Sequence, residues 1–456
     1  MAAVRPRVII RMGSHAEKEY IEKTLRLLDG LILGANLLEA TPGATASLVF
    51  RCATGKARIP VSIDPMTYAF GAYPDPNGGH TRTDLDWIKS DQKVKGQKGK
   101  VERRFKKSYS ALATRFGGLF EQALERSTAV SLQDLGAAAS RRAAAQAVVE
   151  YQATRVVEEF RKDPEYAVWA EEIPPPQAVF APYFHIEPNN VAGWLTANLQ
   201  LAAEAADVAQ GRFPVHAVVC VDQGALTNDA FIEAVETDLP DTGVAGVWLW
   251  FSKFEERDAA PTQLRNYRRL VETLAARIEV YARHGGFLSL ALSRVGMSGV
   301  SHGVGYGEQK DVMPIVGQSK PTVRYYAPPL RMRPGVLEIE RSFGEVGISS
   351  PEEFFSKVCG CVICREVVGT DLRNFATRFG ARHYSTPDSR RRAQTPEAAK
   401  LCTYHYLLAR FTERDWLNTA TLADVREALS TAQKVWENAP ALQSIDHLQR
   451  WRDALS

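Results

Sequence analysis

No stretch of this 456-residue chain stays apolar long enough to span a membrane as a helix: the longest run, residues 244–251, is far short of the roughly 18 required. The opening residues, MAAVRPRVIIRMG, hold only a three-residue apolar run at 8–10, so no secretory leader is expected and a cytoplasmic location is. An excess of one charge is also missing. Lys plus Arg number 56 against 53 Asp plus Glu, and a net charge of +3 points to no anionic partner by itself, so any basic signal must be local. Six cysteines in so long a chain do not make a disulfide scaffold. No G-x-G-x-x-G appears, which removes the usual sequence support for an open dinucleotide-binding sheet. No period of about 20–50 residues recurs, so solenoids and propellers are excluded.

What is present is a globular composition, 45% hydrophobic and 24% charged, able to bury a full core. Short segments rich in Val, Ile, Phe, Trp and Tyr recur at 30–38, 59–64, 178–186, 215–222, 244–251, 286–292, 299–306 and 322–327. Several are continuous apolar runs, the pattern of a parallel strand covered on both faces. Helical patterns at 190–210, 227–237 and 261–284 separate some of them. This rhythm predicts an α/β fold, a (β/α)8 TIM-like barrel, within a length of roughly 250–300 residues that is normal for one. Residues 1–76 are assigned the first barrel strands and 176–334 the remainder of the barrel. Between them, 77–175 form a basic loop and a helical insertion, with helices expected over 108–170 because a structureless loop of that length is improbable. Residues 335–456 are assigned a zinc-binding, C-terminal helical subdomain, with helices at 395–412 and 421–436.

The strongest local signal is Cys359-Gly-Cys361-Val-Ile-Cys364, followed by Cys402 and His405 in the helical pattern LCTYHYLLARF. A tight turn can aim three thiolates at one point, and a donor from a later helix closes a tetrahedron around Zn²⁺. His405 is the chosen fourth ligand, Cys402 lies one helical turn away and can replace it, and His383 is a weaker candidate. Four protein ligands leave no position for an activated water, so the expected role is structural.

This C-x-C-x-x-C pattern and its later histidine, placed after barrel-like strands, resemble the tRNA-guanine transglycosylase superfamily, and the resemblance extends over most of residues 30–415. It implies a (β/α)8 barrel with a zinc subdomain whose ligands are Cys359, Cys361, Cys364 and His405. By the same resemblance, VCVDQG at 219–224 matches the strand whose Gln-Gly contacts the base, here Gln223. Asp64 falls at the family's aspartate, and Glu187 at its second acidic base-recognition position. Two departures matter. Pro65-Met66-Thr67 stands where the family has Ser-Gly-Gly, and GVSHGVGYGE at 299–308 offers His302 and Glu308 where the family has a nucleophilic aspartate. The pattern is more similar to the family's DNA-acting members, which insert 7-deazaguanine bases or remove modified bases from phage DNA. The resemblance also implies a homodimer.

Barrel active sites form at the C-terminal ends of the strands. Base cleavage develops positive charge on the sugar and negative charge on the leaving base, so it needs a carboxylate and a proton donor. Asp64 and Asp222 are the candidate carboxylates and His302 the candidate general acid. Tyr68 and Phe70 are positioned to sandwich a flipped base, with Glu187, Gln223 and Glu308 as further base-binding candidates. Each has a plainer role available: an aspartate at a strand end caps a turn, and aromatics fill cores.

Nine basic residues against two acidic ones between positions 89 and 107 form a local patch, of which Lys93, Lys95, Lys98, Lys100, Arg103 and Arg104 are expected to follow a phosphate backbone. Arg390, Arg391 and Arg392 form a second cluster. The combined expectation is a zinc-containing enzyme that cleaves an N-glycosidic bond in nucleic acid, DNA in preference to tRNA, leaving an abasic site and serving in antiviral defence. Base exchange, with Glu308 or Asp222 as nucleophile, and non-catalytic base reading are the alternatives.

Overall fold

Eight parallel strands succeed one another around a ring in chain order: β1 Arg7–Met12, β2 Gly30–Gly34, β3 Val61–Asp64, β4 Val179–Phe180, β5 Val215–Asp222, β6 Gly246–Ser252, β7 Glu279–Ala282 and β8 Met297–Gly303. The computed structural model describes residues 5–75, 81–94, 100–304, 310–313, 324–384, 392–439, 442 and 444–456. β8 pairs with β1, and the one gap in the ladder lies between β3 and β4. The architecture is therefore α/β, a nearly closed barrel sheet with helices around it.

Alternation along each strand divides the side chains into two sets. Ile9, Ile32, Phe180, Val218, Cys220, Trp248, Trp250 and Tyr281 fill the interior as one cluster. Their neighbours Val8, Ile10, Val247, Leu249 and Phe251 face outward into the core shared with the helices. Facing both ways into apolar surroundings, β6 (GVWLWFS) is buried at every position.

The seam is closed by side chains. Phe180 of β4 presents its backbone N–H and C=O toward the gap, where unpaired polar groups would cost free energy. Gln152, on the Ala138–Arg161 helix of the insertion, accepts from the Phe180 N–H at 2.7 Å and donates to its carbonyl at 2.8 Å. Thr67 performs the same double service for Tyr183, with both hydrogen bonds at 2.8 Å. The insertion between β3 and β4 thus covers the edge that its own presence leaves open.

Six of the eight expected strands coincide with barrel strands, and two do not. The 286–292 segment is helical, Phe287–Ala291 running into a 3-10 turn at Leu292–Val295. Glu256 accepts from the amides of Gly286, Leu288 and Ser289 and so caps that helix. In the 322–327 segment, residues 322 and 323 lie outside the described set, and the remainder forms only an isolated bridge, Ala327 to Met332. The two barrel strands not anticipated are β1 and β7. β1 reads RVIIRM, with arginines that face the barrel interior, and β7 follows the Pro261–Ala275 helix so closely that it looked like its continuation. No helix among the described residues is long and apolar enough to cross a membrane.

Three buried histidines give the fold a pH signature. Burial pushes His185, His216 and His447 each down to about 4. His216 Nδ1 accepts from the Trp248 indole at 3.1 Å, a bond that protonation would break. Between the ordinary histidine value near 6.5 and about 4 the unfolded chain binds more protons than the folded one, so stability falls as pH drops through that window. The urea midpoint is expected to be clearly lower at pH 5 than at pH 7, and an unchanged midpoint would contradict neutral buried rings.

Candidate functional site

Two features stand out, a cysteine–histidine cluster and a cavity at the C-terminal mouth of the barrel. In the cluster, the metal-binding atoms of Cys359, Cys361, Cys364 and His405 all lie within 4.8 Å of one another. His405 Nδ1 is 3.8, 3.5 and 3.3 Å from the three sulfurs in that order. A tetrahedral zinc with Zn–S near 2.3 Å and Zn–N near 2.0 Å demands S···N edges of about 3.5 Å, so the donors fit. Local structure explains the convergence. Cys361 is the N-cap of the Val362–Val368 helix, which turns Cys364 back toward it. His405 projects from the Pro396–Leu417 helix, and its Nε2–H donates to the Tyr326 carbonyl at 2.6 Å, leaving Nδ1 as the ligand atom. Tyr325 stacks on the imidazole with ring centroids 4.2 Å apart. The set can hold a metal ion such as zinc. Cys402 stands apart, buried against Gln394 and the Phe379 carbonyl, and His383 is exposed on a short strand.

The mouth cavity, of about 280 Å³, is lined by residues that include Arg11, Asp64, Tyr68, Lys106, Trp250 and Asp311. Asp64, 1% exposed at the end of β3, accepts from the Tyr183 hydroxyl at 2.9 Å and the Met66 amide at 3.0 Å, and pairs with the Arg283 guanidinium. Three donors from three segments fix its orientation. Met66 holds the left-handed conformation (φ 58°) needed to bring its amide to Asp64, a strained state for a residue with a side chain. Arg283, directly after β7, stacks over Phe180 and Trp248 with its Nε and Nη1 unpartnered. Burial and the nearby Arg283 charge push Arg11 down to about 10. The Tyr68 ring meets Trp250 edge-on at 5.0 Å and stacks near Tyr183 at 5.5 Å. Asp311 accepts from Ser252 Oγ at 3.2 Å and the Met313 amide at 3.0 Å, so two carboxylates border one cavity.

Other expected site residues lie elsewhere. Register places Ser301 opposite Ile9 and Gly303 opposite Arg11, on the interior parity; His302, opposite Ile10, therefore faces outward against Tyr406 and lines a different cavity. Phe70 is fully buried between Tyr109 and Phe120, outside the mouth. Asp222 caps the turn at Gln223–Thr227 through the Gly224 amide at 2.9 Å, and Gln223 offers its carbonyl to Gln263. Glu187 opens the next helical turn, 8% exposed, its carboxyl raised by burial. Neither Asp222, Gln223 nor Glu187 lines the Asp64 cavity.

The basic segment forms a hairpin of Lys89–Lys93 and Val101–Phe105, with Lys93, Lys100, Arg103 and Arg104 exposed. Its roots, Trp87 and Lys106, line the mouth cavity, and burial lowers the Lys106 ammonium. Lys95, Lys98, Glu308, Arg390 and Arg391 lie outside the described residues, as does the side chain of Arg392. Arg11, Arg283, Trp250 and Asp311 were not anticipated, and Lys106 was expected only as part of the basic patch. The first two follow from the unrecognised strands β1 and β7, whereas Asp311 carries no sequence signal.

Purified protein is expected to contain one zinc per chain by elemental analysis, and chelation or Cys361→Ser to lower the melting temperature by about 10 °C or more, since structural zinc binding supplies folding free energy. A metal-free protein of unchanged stability would contradict this. No family model matches this chain, and no curated protein is significantly similar to it.

Proposed function

We propose that this protein is a zinc-stabilised enzyme of the (β/α)8 TIM-like class that cleaves an N-glycosidic bond in nucleic acid, DNA in preference to tRNA, and releases a modified base by hydrolysis. The observation that carries this reading is the mouth cavity itself. An oriented buried carboxylate, a second carboxylate and an aromatic wall meet where the basic hairpin is rooted. The resemblance to tRNA-guanine transglycosylases agrees in two particulars. The Cys3His donors converge, and Met66 takes a left-handed conformation at a position where that family has glycine.

In this mechanism Tyr68 and Trp250 hold the flipped base, and Asp64 stabilises the positive charge growing at the sugar. Asp311 orients the attacking water. The half-buried Arg11 and Lys106 donate to the leaving base, where negative charge develops and partial exclusion of water strengthens the interaction. Asp222 and His302 do not line this cavity and are given no part in the proposed step. Hydrolysis is favoured over base exchange because the second carboxylate beside Asp64 offers a base for water. A place in antiviral defence belongs to the same proposal and rests on the resemblance alone.

The test is incubation with modified phage DNA, unmodified DNA and tRNA, following free base and abasic sites by mass spectrometry. Base release from modified DNA is expected, falling at least about 100-fold in Asp64→Asn and Asp311→Asn. Asp64→Asn alone leaves Arg283 uncompensated and should destabilise the fold by about 3 kcal/mol. The double variant Asp64→Asn/Arg283→Gln should recover stability without recovering base release, which separates chemistry from folding. An adduct trapped between protein and DNA would replace hydrolysis with base exchange. Binding without release from any substrate, unaltered in the Asp64 variants, would leave a base-reading protein.

A further inference from the structure

A second cavity, of about 480 Å³, lies where the ends of β6, β7 and β8 meet the C-terminal helices. Six cationic side chains line it: Arg257, Lys310, Arg324, Arg331, Arg333 and Arg410. Three of the lining residues are acidic, and each is engaged. Glu256 is committed to the helix amides at Gly286–Ser289, Glu255 pairs with Lys310 at 3.0 Å, and Asp258 pairs with Arg257 at 3.3 Å. Behind the wall, Glu413 holds Arg331 at 2.7 Å and Arg410 at 2.5 Å. Among the described residues, these cations surround the cavity together with four carboxylates that are all already engaged.

Two buried side chains of this wall keep polar atoms without a partner. Arg410 is 1% exposed with Nε unpaired, and His302 is 5% exposed with Nε2 unpaired. A carbonyl can only accept, so the contact of His302 Nδ1 with the Gly303 carbonyl at 3.3 Å puts the proton on Nδ1. Nε2 is then an acceptor, and burial with the Arg410 charge keeps the ring neutral by holding it well below the ordinary histidine range. An unpaired guanidinium N–H asks for an anion, and an unpaired imidazole nitrogen asks for a hydroxyl.

We infer that this cavity binds a sugar phosphate, its phosphate on the Arg324, Arg333 and Arg410 side and one sugar hydroxyl donating to His302 Nε2. The ligand is either a free sugar phosphate or a sugar–phosphate unit of a nucleic-acid strand. The second source is open because the two cavities share a wall. Arg11 of the mouth contacts His284 of this cavity at 3.4 Å, and the adjacent Lys310 and Asp311 line one cavity each. The phosphate and hydroxyl contacts do not depend on the proposed reaction, since Arg324, Arg333, Arg410 and His302 have no role in it; only the nucleic-acid source leans on the shared wall with Arg11 and Asp311.

The test uses the full chain and four probes: inorganic phosphate, ribose 5-phosphate, and 12-nucleotide DNA and RNA strands, with binding read by calorimetry. Wild type should bind ribose 5-phosphate more tightly than inorganic phosphate, and Arg324→Gln and Arg333→Gln should weaken both about tenfold. His302→Phe should weaken ribose 5-phosphate alone, because inorganic phosphate does not need the hydroxyl acceptor. If the strands bind and each arginine variant also lowers the slope of log affinity against log salt by about 0.7–0.9, the source is nucleic acid. If only ribose 5-phosphate responds, it is a free metabolite. The inference is overturned if ribose 5-phosphate and both strands fail to bind, or if the arginine variants bind all probes as wild type does while keeping the wild-type unfolding midpoint.

Discussion

A carboxylate and a guanidinium, both withdrawn from water, organise the mouth of the barrel. Asp64 ends β3 and Arg283 follows β7, so their contact spans the ring from one side to the other. Removing two charges from water costs several kcal/mol per ion, which only good geometry and full hydrogen bonding offset. Asp64 has that support from Tyr183 and Met66, whereas Arg283 has it on one side only and rests its remaining face on aromatic rings. The pair is therefore under-satisfied on the cationic side.

The candidate metal centre is linked to this end of the barrel through one helix. Pro396–Leu417 carries His405 into the cysteine cluster, Tyr406 and Arg410 into the wall of the larger cavity, and Arg414 onto Asp29 beside the start of β2. The hydrogen bond from His405 ends on Tyr326, whose hydroxyl in turn donates to Glu413, the partner of Arg331 and Arg410. The ion would thus fix the pitch and rotation of a helix whose other residues shape a cavity. A centre whose four ligand positions are filled by protein acts by placement of that kind, with no direct share in chemistry.

The insertion joins the two remaining features. Gln152 closes the seam beside β4, and the hairpin that precedes the insertion's helices stands on Trp87 and Lys106 at the mouth. The same segment therefore completes the barrel and presents cations beside its opening. Glu102 pairs with Arg104, while Arg103 donates to the Asp86 backbone carbonyl, so part of the hairpin's charge is already partnered.

Residue type and spacing alone carried the metal set, the alternation of strands and helices, and the basic patch, which was read as a loop and is a hairpin. Those signals are local: three thiols within six positions converge whatever surrounds them, and continuous runs such as β5 and β6 have no other home than a covered sheet. Asp64 and Tyr68 were legible for a similar reason, lying at and just after a strand end. Which side chains face the axis was not legible, because a one-residue change of parity moves every residue to the opposite face. That parity sends His302 outward and brings in Arg283 and Arg11, whose strands are masked by charge in β1 and by an adjoining helix in β7. Asp222 is taken up by a local turn cap through the Gly224 amide, and Phe70 is drawn into the core by Phe120, a neighbour distant in the chain. Asp311 reaches the mouth through a bond to Ser252 at the end of β6, a contact that exists once the chain has closed on itself and has no counterpart in the order of its residues.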